Sequence, residues 1–129
     1  MAKWFSPETD PLLFKCPCNH IDCDAPQPTQ SLLDVLDRIR EIYAKPISIS
    51  SGPRCKKHND SKKVGGVKDS EHLTGEGADL VCNTSLDRWN MLNAILQVGV
   101  TRIGIGKTFL HVGVDDISHA TKMIWTYYI

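Results

Sequence analysis

The side chains of this chain best suited to chemistry are His72, Asp79 and His111. A turn containing Gly75 and Gly77 separates His72 from Asp79, and glycines let the backbone curl so that two side chains can face one point. Imidazole nitrogen and carboxylate oxygen are both good zinc ligands, but a lone His-x6-Asp pair is a weak signal because ligand spacing is permissive. The segment Phe109-Leu-His-Val-Gly-Val-Asp115 strengthens it. Alternation along a strand puts Leu110, Val112 and Val114 on a core face and Phe109, His111, Gly113 and Asp115 on the other. His111 then points into a cleft. Two histidines and one carboxylate leave a fourth zinc position for water, as in catalytic rather than structural sites. Zinc in such a site makes water a nucleophile at neutral pH.

These residues need elements to carry them. From Ser31, the residues Leu32, Leu33, Leu36, Ile39, Ile42 and Tyr43 recur at helical spacing. Ser31 with Asp34 resembles a capping box, and Pro46 ends the segment. Residues 46–50 alternate like a half-buried strand. A long loop over 51–70, with Gly52, Pro53, Gly65 and Gly66, leads into the His72–Asp79 stretch, and loops of that length in small domains are often functional. A strand is expected over 78–82. A helix is expected over 84–98, with Leu86, Trp89, Leu92 and Leu96 on or near one face. Strands follow over 102–105, 109–115 and 122–128. This order predicts one α+β domain over residues 1–129, with two main helices and a mostly antiparallel sheet. Residues 1–28 read as an irregular, cysteine-containing arm packed on that domain.

The 129 residues suit one domain, and 41% hydrophobic residues suffice for a core. Fifteen basic residues balance fifteen acidic ones, which argues against a nucleic-acid partner and against a membrane-adhering surface. Lys56-Lys57 and Lys62-Lys63 read as a solvated loop face rather than a steering patch. No signal peptide or membrane span is recognisable, so a monomeric protein made in the cytoplasm is expected. Trp125-Thr-Tyr-Tyr128 reads as core and sheet packing rather than a ligand-stacking surface. The five cysteines, Cys16, Cys18, Cys23, Cys55 and Cys82, are an odd number and cannot all pair within one chain. Cys16 and Cys18 are too close for an ordinary zinc knuckle. Free thiols, a disulfide to Cys55, and a second metal site with His20 all stay open.

Taken together, Ser51-Gly-x-Arg54, His58-Asn59, Gly65-Gly66, Ser70-x-His72-x-x-Gly75-x-x-x-Asp79 and Phe109-x-His111 resemble two groups of enzymes. These are the zinc D-Ala-D-Ala carboxypeptidases and the phage-type L-alanyl-D-glutamate endopeptidases, whose fold also occurs in the Hedgehog signalling domain and the vancomycin-resistance dipeptidases. The resemblance implies Zn2+ held by His72, Asp79 and His111. It implies that Arg54 binds a carboxylate or carbonyl of the substrate, and that Ser70 lines the cleft or orients His72. It implies a zinc peptidase acting on the peptide stems of bacterial peptidoglycan. The small size suggests an endolysin of phage or prophage origin that reaches the wall after release.

Two departures from the family pattern bear on mechanism. Relatives often carry an acidic general base three residues before the last histidine, where this chain has Thr108. Others carry Asp two residues after it, where this chain has Gly113. The sequence therefore leaves the general base unassigned, with Glu71 and Asp115 as weak candidates and Glu76 or Asp69 further ones. If a partner is missing at position 113, Gly113→Asp should raise activity or zinc affinity. The rival expectation is a non-enzymatic zinc-containing binding module of the same fold.

Overall fold

The N-terminal edge of the first helix is set by Thr29, and this illustrates how the domain is assembled. The computed structural model describes residues 4–5, 16, 23, 25–55, 71–114 and 122–127. Helix α1 covers Gln30–Tyr43. The Thr29 N–H donates to the carbonyl of Gly75 at 2.9 Å, which holds Thr29 extended. Its hydroxyl then accepts from the Leu32 N–H at 3.2 Å. The cap is thus Thr29 rather than the expected Ser31, because a distant backbone carbonyl pre-sets the N-cap conformation there. Gly75 has φ +75°, and a Cβ on it would lie 2.2 Å from the Gln27 carbonyl oxygen. Only glycine permits that approach. The helix ends at Ala44, in the left-handed region with φ 63°, before Pro46 is reached.

Helix α2 covers Ser85–Val98, with Thr84 as N-cap and Gly99 as C-cap. Its buried residues are Met91, Ala94 and Ile95. Leu86, Trp89 and Leu96 are exposed, Trp89 at 70%, which corrects the face expected from the sequence. Apolar residues lie all around this helix, so periodicity does not single out one stripe. Docking against α1 and the sheet selects the buried one.

Five strands form one sheet in the order β1-β2-β4-β3-β5. They are β1 Ile49–Ser51, β2 Gly77–Val81, β3 Arg102–Ile105, β4 Phe109–Gly113 and β5 Met123–Thr126. All neighbours are antiparallel except β3 and β5, which run parallel. The fold is α+β, as expected. The strand expected over 46–50 contributes only its end to β1, and β4 stops at Gly113. Asp115 lies outside the described residues.

Alternation divides the sheet into two faces. Ala78, Leu80, Ile103, Leu110 and Val112 join Leu32, Leu36, Ile39, Met91 and Ile95 in one buried apolar cluster. Phe5 is buried in the same cluster. Its N–H and that of Trp4 both donate to Asp37 Oδ1, at 3.2 and 2.7 Å. No described helix is long and apolar enough to cross a membrane. The sheet face opposite the helices carries Asp79, His111, Gly113 and Arg102, in register across three strands.

Candidate metal centre

Asp79 on β2 and His111 on β4 are directly paired across the antiparallel ladder, so their side chains rise from the same face side by side. A single 3-10 turn over Glu71–Leu73 brings His72 to them. One ligand atom from each of His72, Asp79 and His111 lies within 4.8 Å of the other two. Both histidines are buried, and their rings meet edge to face with centroids 5.0 Å apart.

The hydrogen bonds sort the ring nitrogens. His72 Nδ1 is 2.7 Å from the Gly52 carbonyl oxygen. A carbonyl only accepts, so Nδ1 carries the proton and Nε2 presents its lone pair. That Nε2 lies 3.3 Å from Asp79 Oδ1. His111 Nδ1 lies 2.9 Å from the same oxygen, and its Nε2 lies 3.1 Å from Glu71 Oε1. Each ring therefore turns one nitrogen toward Asp79 and ties the other to an oxygen behind it, which is how ligand histidines are held in protein metal sites. Two imidazole nitrogens and a carboxylate oxygen are a donor set that fits zinc with one position to spare.

The charges are set by burial and by these bonds. Burial alone would raise the Asp79 carboxyl, but its interactions with the His111 and His72 rings hold it well below the usual carboxylate range. Burial pushes His72 down, only partly offset by Asp79. Burial also works against a charged His111, yet Asp79 and Glu71 together raise it.

Glu71 is almost fully buried. Besides meeting His111, its Oε2 forms an ion pair with Arg102 Nε at 3.1 Å. A Cβ built on Gly113 would lie 2.0 Å from that Oε2 and 2.1 Å from Oε1. Glu71 therefore fills the space that a side chain at position 113 would occupy. The expectation of a missing carboxylate at Gly113 is corrected accordingly: a carboxylate is there, supplied from the 3-10 turn. No strand-alternation argument reveals this, since Glu71 and His111 are brought together across 40 residues. The position of Glu71, behind His111 and braced by Arg102, suits orienting that ring better than moving protons at the cleft.

Arg54 is buried beside the cluster. Its N–H donates to the His72 carbonyl oxygen at 2.9 Å. Burial lowers its pKa, and the charge of Asp79 opposes this. Ser70, Asp69 and Asp115 lie outside the described residues, as do His58, Asn59, Gly65 and Gly66. Glu76 is described, and its carbonyl accepts from the Val114 N–H at 2.9 Å.

The described aromatic residues near the C-terminus pack on the sheet, as expected, but on the site face rather than in the core. Trp125 pairs through β5 with Gly104, which in turn pairs with His111, so Trp125 belongs to the site face. Its ring centroid is 5.6 Å from that of His111, and the Arg102 guanidinium lies 5.1 Å from the Trp125 ring centroid. Tyr127 stands beside it, 48% exposed, with its ring 5.2 Å from that of Phe109. The parallel β3–β5 pairing, invisible in local sequence, puts them there.

A His–Asp–His cluster on the sheet face opposite the helices, with an arginine alongside, is a donor set of the kind that metallopeptidases use. A family model described as Peptidase M15 matches residues 7–115, and the chain belongs to that family. M15 peptidases are zinc enzymes, which makes this chain a zinc-dependent peptidase by family. No curated protein matches the chain.

Proposed function

We propose that this chain hydrolyses the peptide stems of bacterial peptidoglycan, at the L-Ala-D-Glu bond or a D,D bond, with His72, Asp79 and His111 as its zinc ligands. The observation that carries the reading is the convergence of those three side chains within 4.8 Å of one another, next to the buried Arg54. Zinc, when bound, supplies a Lewis acid for the scissile carbonyl and lowers the pKa of water.

The chain's own residues do the rest. Gly52 fixes the His72 tautomer through its carbonyl. Glu71 fixes the orientation of His111, and Arg102 holds Glu71. Arg54 offers a planar fork of donors to a substrate carboxylate. Stem peptides are rich in such carboxylates, on D-Glu and at D-Ala termini. Trp125 and Tyr127 form an aromatic wall against which the stem can lie. For Ser70 the role stays the one that the family resemblance implies. The setting that goes with this reading is a monomeric endolysin of phage or prophage origin that acts on the wall after release.

The test is digestion of purified peptidoglycan by the zinc-loaded chain, with mass analysis of the products. New amino and carboxyl termini identify the bond. A lack of products favours the second reading, a zinc-containing binding module. One observation speaks for that alternative. Thr108 and Gly113 lack the acids that relatives carry, and Glu71 is engaged behind His111 rather than at the cleft.

A further inference from the structure

We propose that Cys16, Cys23 and Cys55 bind a second metal ion, a thiophilic divalent cation such as zinc, in a structural site separate from the His–Asp–His cluster. The three sulfurs lie within 4.8 Å of one another. Cys16 and Cys55 Sγ are 3.8 Å apart. A disulfide would require about 2.05 Å, so this pair is not bonded. With a Zn–S distance of about 2.3 Å, the sulfur–sulfur edge of a tetrahedral site is about 3.8 Å. The spacing is that of two ligands sharing one ion.

Two further features fit. The Cys55 N–H points at Cys16 Sγ at 3.4 Å, and hydrogen bonds from backbone amides to sulfur stabilise the thiolate form that a metal takes. Cys16 and Cys55 are buried while Cys23 is exposed, so Cys23 closes the cluster on its solvent side. The sequence pattern hid this arrangement. Cys16-Pro-Cys18 is too tight for a knuckle, and the cluster instead joins Cys16 to Cys23 and then to a residue 39 positions beyond Cys16. Among the described residues the group has three donors. The three sulfurs leave one position of a tetrahedral ion for a further donor such as water. Each thiol gives its proton to solvent as the ion binds.

The placement has a consequence for the chain. Cys55 directly follows Arg54, whose N–H is bonded to the His72 carbonyl. An ion held by Cys16, Cys23 and Cys55 ties the N-terminal segment to the residue next to the substrate-binding arginine. It closes a long loop, where a cross-link reduces the freedom of the unfolded chain.

The test uses the full chain, purified under reducing conditions, loaded with zinc and freed of excess. Two metal ions per chain are expected. His72→Ala with His111→Ala should keep one, and Cys16→Ser with Cys55→Ser should keep one. Loaded with Co2+ instead, the wild type and the histidine double variant should show a sulfur-to-cobalt charge-transfer band in the near ultraviolet. The cysteine double variant should lack it. Cys23→Ser, at an exposed position that leaves the core undisturbed, should bind this ion at least tenfold more weakly while keeping its circular dichroism spectrum. If the cysteine double variant does not fold, the cobalt spectra of the wild type and the histidine variant still decide. A metal content that the cysteine double variant retains in full, a cobalt spectrum without sulfur ligation, or a Cys16–Cys55 disulfide in the metal-loaded chain would overturn the proposal. Loss of peptidase activity plays no part in the readout, so the second site stands or falls independently of the peptidoglycan reading.

Discussion

The carboxylate of Glu71 and the missing side chain of Gly113 are complementary: a Cβ at 113 would lie 2.0 Å from Glu71 Oε2. One residue supplies the acid that orients His111, and the other leaves room for it. Gly113→Asp should therefore displace Glu71 from His111 and Arg102, lowering zinc affinity or hydrolysis by about 10- to 100-fold, the usual cost of losing such a partner. Adding Glu71→Ala to Gly113→Asp should recover part of the loss, because the new carboxylate then has the space to itself. A double-mutant cycle on zinc affinity measures this coupling. Strictly additive losses would separate the two residues.

Arg54→Lys should not support hydrolysis at the wild-type rate, because an ammonium cannot make the paired contacts of a guanidinium with a carboxylate. The metal content of this variant should equal that of the wild type, since Arg54 meets the centre through its backbone N–H to His72. Steady-state kinetics on a stem peptide, with metal analysis of the same sample, checks both halves. Wild-type turnover in Arg54→Lys would remove Arg54 from the mechanism.

His111→Ala should lose the metal ion of the His–Asp–His centre and reduce hydrolysis to background. Zinc that binds only the folded chain stabilises it by about 2.7 kcal/mol at a free concentration 100 times its Kd. Thermal unfolding with and without added zinc should show a smaller upward shift for His111→Ala than for the wild type. An equal shift in the two proteins would show that this centre contributes nothing to zinc binding.

Asp37→Ala should destabilise the chain by about 1–3 kcal/mol, because it removes the acceptor shared by the Trp4 and Phe5 N–H groups. Phe5 lies in the core cluster, so the N-terminal end should become more sensitive to proteolysis before the rest of the domain. Urea unfolding and limited digestion measure the two effects. Neither should change the metal content of the His–Asp–His centre.

Much of the site was legible in the residues themselves. A strand of alternating type has only two faces, so Leu110 and Val112 had to be buried together and His111 had to oppose them. The helices were legible from their three- and four-residue spacing, and both end within a few residues of where that spacing stops. What local pattern could not decide was every choice made by a partner far along the chain. Thr29 rather than Ser31 caps α1 because the Gly75 carbonyl meets its N–H. Met91, Ala94 and Ile95 rather than Leu86, Trp89 and Leu96 face inward because α2 docks on α1 and the sheet. Trp125 reaches His111 only through a parallel strand pairing. Glu71 stands behind His111, and Cys55 beside Cys16, through contacts 40 and 39 residues apart. Periodicity reports which way a side chain points along its own element. Which distant group it then meets is settled by how the elements pack, and that is where the orienting carboxylate and the cysteine cluster were decided.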